Sequence, residues 1–135
     1  MRTLTAAETG HLVFSTLHTR DVRGTVTRII DLFPAGQQNE VANQLSLGLS
    51  HIISQKLVPR ANGNGRVMAM EILRSNYAPA NIIRQGKIEQ LCNTLQTQTR
   101  DNPQERVTTM ERSLAPRVLQ DHHARRGRAP RQPHR

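Results

Sequence analysis

Two histidines bracket a short apolar run. His11 and His18 flank Leu12-Val-Phe-Ser-Thr-Leu17, and Thr19 follows at once. An imidazole beside a hydroxyl can donate to an anionic oxygen, or pass a change of charge on to the backbone that carries it. The run itself is made of β-formers, too short for a helix and too continuous for a half-exposed strand. It is therefore expected to be a parallel strand covered on both faces. That puts His18 and Thr19 at the carboxyl end, where ligands of α/β folds bind, and His11 at the other end. Ser15, His18 and Asp21 do not form a hydrolase set, because Ser15 lacks a nucleophile elbow and strand alternation turns it to the face opposite His18. Thr16 is expected simply to pack. Glu8 is read as a solvated helix charge, with an arginine of a neighbouring subunit as its alternative partner. No carboxylates are spaced as an acid–base pair. Metal ligands are equally lacking: His122 and His123 are adjacent, Cys92 stands alone, and His134 falls in an Arg/Pro/His-rich end. No catalytic residue and no metal ligand is assigned.

The elements that must hold these residues can be read on either side. Thr3 to Thr9 has no internal breaker, and Gly10 stands where a helix stops. Asp21 can cap a helix to about Leu32, on which Val22, Val26, Ile29, Ile30 and Phe33 make one apolar stripe closed by Pro34. A second helix is expected from Gln37 to Ile53, with Val41, Leu45, Leu49 and Ile52 on one face. Gln55 to Pro59 reads as extended, and Asn62-Gly-Asn-Gly65 as a tight turn into a second strand over Arg66–Leu73. Ala78 to Gln85 is a short helix punctuated by Gly86. Lys87 to Thr97 continues with Ile88, Leu91, Cys92 and Leu95 aligned. Thr99 to Pro103 is a polar linker, and a weak helix interrupted by Pro116 spans Glu105 to about Leu119. No internal repeat is evident.

Composition bounds the function. At 135 residues the chain permits one domain, and its net charge of +9 is uneven. Residues 1–115 carry +4 and the last twenty carry +5. The excess is a property of the basic tail, which is expected to be disordered. Such a tail can touch polyanions unspecifically, but with Phe14, Phe33 and Tyr77 as the whole aromatic set a specific nucleic-acid interface is not expected. No apolar run approaches the roughly 20 residues that span a bilayer, and no secretory signal opens the chain. One cysteine rules out an internal disulfide and agrees with a reducing compartment.

The words themselves carry a resemblance. Thr5-Ala-Ala-Glu-Thr-Gly-His-Leu-Val-Phe-Ser-Thr-Leu-His-Thr19 closely resembles the histidine box of the type II/IV secretion and type IV pilus ATPases, above all the pilus retraction (PilT-like) ATPases. Arg28-Ile-Ile-Asp-Leu-Phe-Pro34, Leu49 to Arg60, Gly65-Arg-Val-Met-Ala-Met-Glu-Ile-Leu73 and Asn81 to Leu91 resemble later segments of that family, in the same order. The likeness runs over roughly residues 3 to 115. It implies an α/β fold: the C-terminal part of a RecA-like P-loop ATPase core over 1–75, a helical arm over 76–119 and the basic tail over 120–135.

The resemblance also implies roles. His18 would lie near the γ-phosphate as a nucleotide sensor, supported by Thr19 and by His11, for which a structural bond is an equal reading. Asn81, Ile83 and Arg84 would belong to a force-coupling arm. The arm departs from the family word Ala-Ile-Arg-Asn-Leu-Ile-Arg-Glu at Pro79, Ala80 and Gln85. The family's Gly-Met-x-Thr-Met stands here as Arg106-Val-Thr-Thr-Met110, and the tail has no family counterpart. Family members work with ATP and Mg2+ as cytoplasmic hexameric rings, peripheral to an inner-membrane pilus or secretion platform. A phosphate-cradling Gly-x-x-x-x-Gly-Lys-Ser/Thr loop is absent from these 135 residues, and the acidic Walker B strand would stand before the histidine box. The chain thus reads as the last third of such an ATPase, expected neither to bind nor to hydrolyse ATP alone. The alternative is a catalytically inactive module that docks on full-length ATPase subunits.

Overall fold

Local signals set most of the helix ends. In the computed structural model, which describes residues 2–60, 64–101 and 108–114, α1 runs over Arg2–Glu8 and stops where Gly10 takes a φ of +87°. The Gly10 N–H then bonds Ala7 O and the His11 N–H bonds Ala6 O, which satisfies two end carbonyls in a Schellman arrangement. The same device ends α4, Tyr77–Arg84. There Gly86 has φ +68°, its N–H bonds Ile83 O, and the Lys87 N–H bonds Ile82 O.

Asp21 caps α2, Val22–Asp31, as its sequence position suggests, and its Oδ1 accepts from the Gly24 N–H at 2.6 Å. Removing this cap with Asp21→Ala is expected to cost about 1 kcal/mol, read as a lower urea midpoint, while Asp21→Asn should cost much less. Asn76 caps α4 in the same way, accepting from the Ala78 N–H at 3.3 Å. Pro79 sits in the first turn, where its missing N–H removes no helical bond, and its ring is buried.

α3 occupies Gln38–Gly48, entered through a short 3-10 turn at Ala35–Gln37. The helix expected as far as Ile53 ends five residues earlier. β1 begins at His51 and runs to Pro59, so Leu49 caps α3 and Ile52 packs from a strand. β2, Arg66–Arg74, pairs with β1 in antiparallel register, with Ile52 opposite Leu73, Ser54 opposite Glu71 and Lys56 opposite Ala69. A helical stripe and a strand that both point into one core share the spacing that misplaced this boundary. The turn at 61–63 lies outside the described residues, although Arg60 and Gly65 close the hairpin by a 3.1 Å backbone bond. A second 3-10 turn at Ile88–Gln90 leads into α5, Leu91–Asp101. Residues 110–114 form a further helical turn, and Thr108 bridges antiparallel to Ile72. The tail and most of the weak helix lie outside the described residues.

The core draws on every part of this layout. Val22 and Val26 of α2, Leu45 of α3, Ile52 and Leu73 of the hairpin, Ile83 of α4, and Leu91 and Leu95 of α5 are buried together. Ile29, Ile30, Ile82 and Ile88 pack around them. The residues that share this core stand on both sides of position 75.

Candidate functional site

The segment between α1 and α2 differs most from its expected form. Residues 11–19 form no regular secondary structure and carry no strand pairing, and the described residues contain one two-stranded sheet, β1 with β2. Leu12 is 84% and Phe14 88% exposed. The sequence predicts a strand covered on both faces, and such a strand needs neighbours in a parallel sheet to bond its backbone and bury its side chains. No such neighbour stands among the described residues. The residues are those of a buried strand, and the burial is missing.

Its ends are nevertheless tied down. At the first end, the Thr9 hydroxyl lies 2.9 Å from Ala6 O and 3.1 Å from His11 Nδ1. A hydroxyl that donates to the carbonyl accepts from an Nδ1–H, so His11 completes the close of α1. At the other end, Thr25 donates to Asp21 O at 2.8 Å, and the Thr19 hydroxyl meets the Thr25 hydroxyl at 2.6 Å. Thr19 is thereby fixed to the first turn of α2, and His18, one residue earlier, is exposed. The structure keeps His18 and Thr19 together at one end and sets His11 apart at the other.

One residue of this junction has no local sequence signal. Glu71 of β2 accepts from the Val22 N–H at 2.8 Å with Oε2. Burial is the main cause that pushes the Glu71 carboxyl above the ordinary glutamate range, and the Val22 N–H opposes it. The folded chain therefore holds this proton more tightly than the unfolded chain. The group's contribution to stability is fully present below the ordinary glutamate value and is lost as pH rises through the higher folded value. Cys92 on α5 is raised as well, by burial first and then by the Glu71 charge, so it is no activated nucleophile.

The arm residues divide between surface and core. Asn81 Oδ1 accepts from Arg84 Nη2 at 2.9 Å and from Gln85 Nε2 at 3.2 Å, an exposed cluster within one helical turn. Ile83 faces the other way and is fully buried. A shallow hollow of about 240 Å³, lined in part by Thr27, Asp31, Gln38, Asn39 and Gly86, includes none of the candidate residues. Among the described residues no group of three His, Cys, Asp or Glu side chains could hold a metal, and no helix is long and apolar enough to cross a membrane.

The comparisons agree with the family resemblance of the sequence words. The family model of the type II/IV secretion system proteins matches residues 1–126. The chain belongs to this family. A twitching motility protein of Neisseria gonorrhoeae is 50% identical over 117 residues, covering 87% of this chain and 30% of that protein. The type IV pilus retraction ATPase PilT of Pseudomonas aeruginosa is 47% identical over 94 residues, 70% of this chain and 27% of its own length. Among solved structures, the pilus retraction motor PilT with bound ADP is similar with a TM-score of 0.72 and 43% identity. That match covers 88% of this chain and 32% of the other. The Legionella pneumophila ATPase DotB gives a TM-score of 0.67 at 25% identity, over 87% of this chain and 31% of its own. This type II/IV secretion chain thus spans less than a third of the length of these relatives.

Proposed function

We propose that this chain supplies the C-terminal part of a RecA-like core and the following helical arm of a PilT-like ATPase that retracts type IV pili or serves a related secretion system. The observation that carries this reading is the 50% identity over 117 residues to the Neisseria twitching motility protein, supported by the likeness to the ADP-bound retraction motor. In the completed protein, His18 senses the nucleotide, Thr19 passes its state to α2, and Asn81, Ile83 and Arg84 belong to the arm that transmits force. ATP and Mg2+ would be bound by the phosphate loop and acidic strand of the remaining core, within a hexameric ring at an inner-membrane platform in the cytoplasm.

The physical basis for the sensor is the tie at the strand's end. A hydrogen bond gained or lost at His18 pulls on a backbone already fastened through Thr19 and Thr25 to the start of α2. The experiment measures phosphate release from ATP and Mg2+. The chain alone should give no sustained turnover. Co-folded with the part of the Neisseria relative outside the matched region, it should give turnover, reduced about a hundredfold by His18→Ala. Turnover by the chain alone would remove the division of labour, and an unaffected rate in His18→Ala would remove the sensor.

A second reading is favoured by the exposure of Leu12 and Phe14. Here the chain is a catalytically inactive module whose strand docks on full-length ATPase subunits. Both readings bury the segment that carries Leu12 and Phe14.

A further inference from the structure

Glu71 lies midway along β2 with Ser54 opposite it in the ladder. Its carboxylate reaches α2 and takes the backbone N–H of Val22, the first residue of that helix, across 49 residues of sequence. That N–H has no partner within its own helix, so a side chain or water must satisfy it. Asp21 satisfies the Gly24 N–H of the same turn. One carboxylate is local and the other comes from the hairpin, and both lie where the helix dipole favours negative charge.

The neighbours of Glu71 in β2 are anchored elsewhere. The Ile72 N–H donates to Thr108 O at 2.9 Å, and the Thr108 N–H returns a 3.2 Å bond to Ile72 O. The Met70 N–H donates to Ser113 Oγ at 3.0 Å. Three successive residues of one strand therefore hold the segment 108–114 at one edge and the start of α2 on one face. Thr19 is three residues before Val22 and is bound to the same first turn through Thr25. Two intervening residues leave little freedom between Val22 and the His18–Thr19 end.

We propose that Glu71 is a positioning residue, which fixes where the His18–Thr19 end meets α2 and ties that junction through β2 to the segment 108–114. Its bearing on nucleotide rests on the sensor reading of His18; the positioning itself does not. The charged and titratable groups that act on Glu71 or answer to it are Asp21 at the cap, Lys56 on β1, Glu111 in the 110–114 turn and Cys92 on α5. Ser54, buried across the ladder with a hydroxyl that makes no hydrogen bond, offers a partner to the amide of a glutamine placed at 71.

The test is hydrogen exchange and NMR on the whole 135-residue chain without nucleotide. Glu71→Met keeps the bulk and removes the acceptor, whereas Glu71→Gln keeps a carbonyl oxygen for Val22. Exchange at the Val22 amide should rise about tenfold or more in Glu71→Met, with shifted Thr19 and His18 signals, and should return to the wild-type rate in Glu71→Gln. In the unmodified chain the Val22 amide shift should follow the Glu71 carboxyl as it titrates, and the Thr19 signals should move with it. This titration decides the matter if Glu71→Met does not fold. Unchanged Val22 exchange in Glu71→Met, or a Val22 amide blind to the Glu71 titration, overturns the proposal. Because nucleotide is absent, that failure is distinct from a failure of the sensor reading, which is read from turnover in His18→Ala.

Discussion

Leu73→Ala is expected to destabilise the chain by about 2 to 5 kcal/mol, the range for truncating a well-packed leucine. Leu73 is 0% exposed and lies opposite Ile52 in the hairpin ladder. Its cluster draws side chains from α2, α3, α4 and α5, so no single element can close over the cavity without moving against another. A domain of this size holds roughly 5 to 15 kcal/mol in total, so the loss is a large fraction of the whole. Urea unfolding followed by circular dichroism measures it. Leu47→Ala on α3, where the side chain is 77% exposed, is the matched comparison and should stay within about 0.5 kcal/mol of the original. A Leu73→Ala midpoint equal to that of Leu47→Ala would mean that the cluster does not hold the hairpin to the helices.

How much of this was legible depends on whether the signal is local. Gly10 and Gly86 announce helix ends because a left-handed residue is needed there, and both occur where expected. Asp21 announces α2 because its side chain bonds its own helix. Ile52 misleads, since a buried position three residues after Leu49 fits a helical stripe and a strand face equally well until the backbone is seen. Glu71 is silent for the opposite reason: its partner is a backbone N–H 49 residues away, and nothing in the word Val-Met-Ala-Met-Glu-Ile-Leu points to it. The bond of Thr19 to Thr25 has no sequence signal either, since it joins two hydroxyls six residues apart across the start of a helix. The segment at 12–17, expected to be a strand, is the instructive case. Its composition predicts burial on both faces, which the described residues do not supply, because the neighbouring strands that a parallel sheet needs are not among them.

That exposed segment makes the second large prediction, a loss of binding without a loss of folding. Leu12 and Phe14 present their side chains to solvent at 84% and 88%, so Asp at both positions removes no described packing and should change stability by less than about 0.5 kcal/mol. On a partner surface the same side chains are worth about 1.5 to 3 kcal/mol each when buried. Losing both therefore weakens capture by a full-length PilT-like ATPase about 10²- to 10⁴-fold, before the added cost of burying two carboxylates. Leu47→Asp, an equally exposed apolar position on another element, serves as the control and should bind normally. Isothermal titration of the purified chain into the full-length protein gives the three affinities directly. Equal binding by the Leu12→Asp, Phe14→Asp chain would exclude this segment as the contact. A selective loss, combined with phosphate release in the co-folded core, then separates the two functional readings. A chain that completes a core restores turnover, whereas a docking module binds through the same strand and leaves turnover to its partner.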